Sequence, residues 1–146
     1  MTRRLTFFLL TLMIVLPTFL SGCASSDQSA VGDLKMAPMS DMPAEVKQAS
    51  VSVQDAYRFN VANPDIMKEI PCYCGCGDMG HASNYACYVQ DEADGKITYD
   101  SHALGCSICV DITQDTMRML KEGKSVPEIK QAIDDTYSKF GPSNIP

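Results

Sequence analysis

Cys72, Cys74 and Cys76 lie within five residues of one another, in Pro71-Cys72-Tyr73-Cys74-Gly75-Cys76-Gly77. Thiols at i and i+2 do not readily bridge each other, because a disulfide needs matched Cα spacing and Cβ direction. Each must pair with a distant cysteine, hold a metal ion or exchange electrons. Cys87, Cys106 and Cys109 follow, with His81 and His102 among them.

Three chemistries compete for these residues. As a metal site, Cys72, Cys74 and Cys76 converge if Gly75 and Gly77 fold the loop. Cys87, or the Cys106-Ser107-Ile108-Cys109 pair, then completes the four ligands that structural zinc favours. Soft thiolates equally suit Cu(I), and imidazole suits both ions, so His81 and His102 are secondary ligand candidates. Asp78, Asp100 and Asp111 are weaker candidates for orienting those rings. As a scaffold, the six cysteines other than Cys23 form three structural disulfides, with 15 possible pairings. As an exchange site, Cys106-x-x-Cys109 at a helix start acts on disulfides, Cys106 being the acidic thiol. No strand–helix alternation of a thioredoxin-like fold surrounds that pair. Covalent haem is disfavoured, since Val110 stands where its attachment motif needs His.

The elements that position these groups read as mainly helical. Ser52 is a candidate cap for a helix through about Ala62, with Val53, Tyr57 and Val61 on one face. Asn63-Pro64-Asp65 restarts a helix that turns Ile66, Met67 and Ile70 inward, and Pro71 stops it just before the cysteines. The cluster is thus delivered by a helix end into a Gly-rich loop. Asp94-Gly95 marks a candidate short β-hairpin between Val89 and Ile97. From Cys106 a helical pattern runs through Ile108, Ile112, Met119 and Leu120 to Gly123. Ser125-Val126-Pro127-Glu128 is a capping box for a last helix burying Ile129, Ile133, Tyr137 and Phe140. Asp134-Asp135 reads as a solvated face.

Upstream, Arg3 and Arg4 precede fifteen largely apolar positions from Leu5 to Phe19, closed by Leu20-Ser21-Gly22-Cys23. This is the order of an export signal, and it is shorter than the roughly 20 apolar residues of a membrane-spanning helix. The last four residues resemble a bacterial lipobox, which implies that residues 1–22 are removed and that Cys23 carries the lipid. Residues 23–50, rich in Ser, Ala, Asp, Gln and Pro, read as a lipidated flexible tether, and residues 51–146 as one Cys-rich domain. Met36, Met39 and Met42 stand in that tether without an evident core to fill. Thioethers accept Cu(I) better than zinc, so the three tilt the metal reading towards copper.

Loss of Arg3 and Arg4 leaves ten basic residues against eighteen acidic ones, a net charge near −8. Such a surface opposes nucleic acid and anionic lipid, so the acylated Cys23 rather than charge must hold the bilayer. No nucleophile–base pair, phosphate loop or carboxylate pair gives catalysis positive support.

The chain from about Tyr57 through Gly141 resembles the bacterial family named for its Pro-Cys-Tyr-Cys-Gly-Cys motif. Pro71 to Gly77 carries the resemblance, with Gly80-His81, Asn84 and Cys87, Asp100 and His102, Gly105-Cys106-x-x-Cys109, and Glu122-Gly123-Lys124-Ser125. It implies a small exported or lipid-anchored protein and carries no activity across.

The expectation is a small, mainly α domain with a Cys/Gly-rich loop, lipid-anchored on the extracytoplasmic side of a cell membrane or outer membrane. Its leading function is binding of Cu(I), ahead of Zn(II), for sequestration or delivery. The ligands would be Cys72, Cys74, Cys76, Cys87, Cys106 and Cys109 with His81 and His102. Another extracytoplasmic metal-handling protein is the expected partner. The alternatives are a disulfide-stapled interaction domain and thiol–disulfide exchange.

Overall fold

The computed structural model describes residues 33–145. The expected signal at 1–22, the expected lipidation site Cys23 and the first part of the expected tether lie outside the described residues. The chain forms helices α1 (Ala44–Gln48), α2 (Val51–Ala62) and α3 (Pro64–Met67), strands β1 (Val89–Ala93) and β2 (Lys96–Tyr99), then α4 (His102–Gly105), α5 (Ser107–Lys121) and α6 (Val126–Tyr137). Short 3-10 turns at Met39–Asp41, Cys76–Met79 and Tyr85–Cys87 complete it. It is mainly α with one two-stranded antiparallel sheet, as the sequence predicts. Among the described residues, no helix is long and apolar enough to cross a membrane.

Helix α2 packs on α5, and α5 on α6. Tyr57 and Phe59 of α2, Ile112 of α5, and Ile129 and Ile133 of α6 are fully buried in the core. The end of α5 is fixed by its own backbone. Gly123 turns left-handed at φ 79°, its N–H donates to the Leu120 carbonyl, and the Lys124 N–H donates to that of Met119. This is the Schellman pattern. Both halves of the predicted capping box are present at Ser125 and Glu128, opening α6 two residues later.

Asp94 and Gly95 both have positive φ, which gives the two-residue turn matched to strand twist. The hairpin returns the chain to its origin: the Asp100 N–H donates to the Tyr88 carbonyl at 2.9 Å. Asp100 and His102 are thereby set beside the cysteine loop.

Three local readings are corrected. Ser50, not Ser52, is the residue before α2, because the helix already starts at Val51. Helix α6 ends at Tyr137, so Phe140 falls beyond its buried face and is half exposed. The segment read as a tether up to residue 50 packs against the core from Leu34 onward. Met42 and Val46 are buried, and Met36 and Met39 pack against the core. The Ala37 N–H donates to the Arg58 carbonyl, and Arg58 Nε donates back to the Ala37 carbonyl at 2.8 Å. These methionines have an apolar environment of their own, so they no longer argue for copper.

Candidate metal centre

Ile70 is fully buried at the end of the α3 turn and fixes where the cysteine loop begins. Gly75 takes φ 81° between Cys74 and Cys76, a conformation costly for side-chain-bearing residues, and this reverses the loop on itself. The loop is closed from the far end of the chain. Gly141 lies so near that a Cβ there would sit 2.9 Å from the Tyr73 carbonyl oxygen. Asn144 then clasps the loop: its Oδ1 accepts from the Cys72 N–H at 2.7 Å, and its Nδ2 donates to the His81 carbonyl at 3.0 Å. Nδ2 also lies 3.6 Å from Cys76 Sγ.

The thiols converge. Cys72 Sγ is 3.4 Å from the sulfurs of both Cys74 and Cys109, and Cys74 and Cys109 are 3.5 Å apart. Cys76 and Cys87 are likewise separated by 3.5 Å. A tetrahedral zinc site with bonds of ~2.3 Å has sulfur–sulfur edges of about 3.8 Å, so these spacings suit ligands around an ion. All six cysteines of the described residues are free. Three four-residue sets have ligand atoms within 4.8 Å of one another: Cys72, Cys74, Cys76 and Cys87; Cys74, Cys87, His102 and Cys109; Cys76, His81, Cys87 and His102.

Seven of the eight ligands predicted from the sequence therefore meet. Cys106 belongs to none of these sets. It is the residue before α5, extended at φ −118° and ψ 101°, and it lines a surface hollow with Ser107 and Asp111. Cys109, one turn into α5, is buried and faces the cluster.

Cys109 is held by its backbone. Its carbonyl accepts from Tyr88 Oη at 2.9 Å and Asn84 Nδ2 at 3.2 Å, and Thr113 Oγ1 lies 3.1 Å away. Asn84, Thr113 and Asn144 were not singled out from the residue chemistry. Their roles depend on partners distant in sequence, and only the motif resemblance touches Asn84.

The histidines complete one side. His102 Nε2 lies 3.5 Å from Cys74 Sγ, and the two rings meet edge to face at 5.2 Å. His81 Nε2 faces Asp100 Oδ2 at 3.4 Å, while Asp100 Oδ1 accepts the His102 backbone N–H at 2.7 Å. His81 Nδ1 is buried without a hydrogen-bond partner. The tautomer with its proton on Nε2 satisfies Asp100 and leaves that Nδ1 lone pair available. A carboxylate behind a ligating imidazole is the usual way such rings are oriented.

The thiols do not ionise alike. Hydrogen bonds from Cys109 and then Cys87 draw Cys72 far below the ordinary thiol range, against its burial. Cys109 is driven far up, first by its bond to Cys72 and then by that to Cys87 and by burial. Burial, above all, raises Cys74 and Cys76. Among these four thiols only Cys72 is drawn down, and a cation beside the others favours their ionisation.

The family model for proteins of unknown function with a PCYCGC motif matches residues 12–144. The chain belongs to this PCYCGC family. No curated protein and no solved structure matches it. In this PCYCGC protein the name-giving motif supplies Cys72, Cys74 and Cys76, whereas Cys87, Cys109 and the histidines enter through folding.

Proposed function

We propose that this protein is a membrane-anchored extracytoplasmic lipoprotein that binds a thiophilic metal ion, Cu(I) ahead of Zn(II), for sequestration or delivery. The observation that carries the metal reading is the triangle of Cys72, Cys74 and Cys109 sulfurs with edges of 3.4–3.5 Å. Its centre lies about 2.0 Å from each sulfur, against ~2.3 Å for a zinc–thiolate bond, so a small expansion admits an ion. Three thiolates around one position suit Cu(I), which accepts two or three sulfurs, and the preference for copper now rests on this set alone. The lipobox-like Leu20-Ser21-Gly22-Cys23 supports the anchor and the extracytoplasmic side. The net acidic surface suits cation capture.

The test is native mass spectrometry of the reduced full-length protein in detergent, with and without Cu(I) or Zn(II). Retention of a whole number of ions through chelator challenge, with protection of the cluster thiols from alkylation, is expected. A native protein that carries three disulfides and takes up no ion even after reduction would instead make it a stapled interaction domain.

A further inference from the structure

We infer that the centre holds two ion positions of different chemistry: a trigonal thiolate position made by Cys72, Cys74 and Cys109, and a mixed position made by Cys76, Cys87, His81 and His102. The inference rests on the metal-binding reading above and concerns how the seven donors divide.

The distances allow this division. Cys72, Cys74 and Cys109 are all within 3.5 Å of one another. The other four donors form one of the mutually compatible sets, with every ligand atom within 4.8 Å of the rest and the Cys76–Cys87 edge at 3.5 Å. The two groups share no residue and together use all seven donors. A single ion with four ligands would leave three of the seven without a role.

The second group has its own mark. His81, whose buried Nδ1 has no partner, belongs to it, and the Asp100 carboxylate sits against its Nε2. A buried ring nitrogen with no partner is a cost that an ion removes. Two sulfurs and two nitrogens in tetrahedral array are the donor set of Zn(II), whereas three thiolates alone favour Cu(I). The 3.5 Å contact of His102 Nε2 with Cys74 Sγ sets the two positions side by side.

The experiment loads the reduced full-length protein in detergent with Cu(I) and Zn(II), counts ions by native mass spectrometry and records X-ray absorption at both metal edges. Expected are one copper with sulfur neighbours only and one zinc with sulfur and nitrogen neighbours. The His81→Ala/His102→Ala variant should lose zinc and keep copper, and Cys72→Ser/Cys109→Ser the reverse, each checked for native circular dichroism. If a variant does not fold, the absorption spectra of the unaltered protein decide. One ion under every loading, or no nitrogen at the zinc edge, overturns the two-position inference and leaves metal binding standing. Uptake of no ion at all overturns both.

Discussion

Asp100 Oδ2 stands 3.4 Å from His81 Nε2, on the side of the imidazole opposite its unpartnered Nδ1. The carboxylate reaches that place because the Asp94-Gly95 hairpin brings Asp100 back to the Tyr88 carbonyl. Removing its charge should loosen the ring without deleting a ligand. Asp100→Asn is expected to weaken zinc binding roughly 10–100-fold, the usual effect of losing such a partner, with the fold retained. Competition against a chromophoric chelator reads the change, and an unaltered affinity would remove Asp100 from the site.

Cys106 and Cys109 are one helical turn apart in sequence but only Cys109 joins the cluster. Cys106→Ser should therefore leave the number of bound ions unchanged, whereas Cys109→Ser should lower it. Equal losses from both variants, read by native mass spectrometry, would mean that Cys106 is a ligand. A turnover assay of disulfide exchange that depends on Cys106 would favour the redox reading.

Thr113 Oγ1 lies at the centre of a buried polar network. It donates to Asn84 Oδ1 at 2.8 Å, accepts from Asn60 Nδ2 at 3.1 Å and lies 2.9 Å from Tyr88 Oη. Thr113→Val keeps the shape and strands these groups, at a cost of about 1–3 kcal/mol. In a domain of this size each kcal/mol lowers Tm by roughly 4–8 °C. Thr113→Ser, which keeps the hydroxyl, should lose much less in the same thermal melt.

Alkaline pH should weaken the hold of α6 on the loop, where Tyr73 Oη donates to Asp134 Oδ1. Burial, then the hydrogen bond to Asp134, pushes Tyr73 up to about 12. A phenol whose folded value is raised contributes stability that is fully present below its unfolded value near 10 and is lost as pH rises towards 12. Asp134→Asn should lower the Tyr73 midpoint, seen as phenolate absorbance at lower pH. An unchanged midpoint would leave burial as the whole cause.

The parts of this protein that depend on local chemistry were legible in its sequence. The Schellman end at Gly123, the capping box of Ser125 and Glu128, and the Asp94-Gly95 turn each use groups a few residues apart, so spacing specifies them. The concentration of thiols in Pro71 to Gly77 likewise announced soft-ligand chemistry. Tertiary structure alone decided which groups act together. Cys106 leaves the cluster because its backbone is extended, so helical phase does not set its direction, whereas Cys109 is oriented by α5. Met42 joins the core because a surface distant in sequence is available to cover it, and composition could not reveal that surface. Asn144 bonds Cys72 across 72 positions of chain. Such a contact has no periodicity or spacing to betray it, since it exists only once the packed helices have brought the chain end back to the loop.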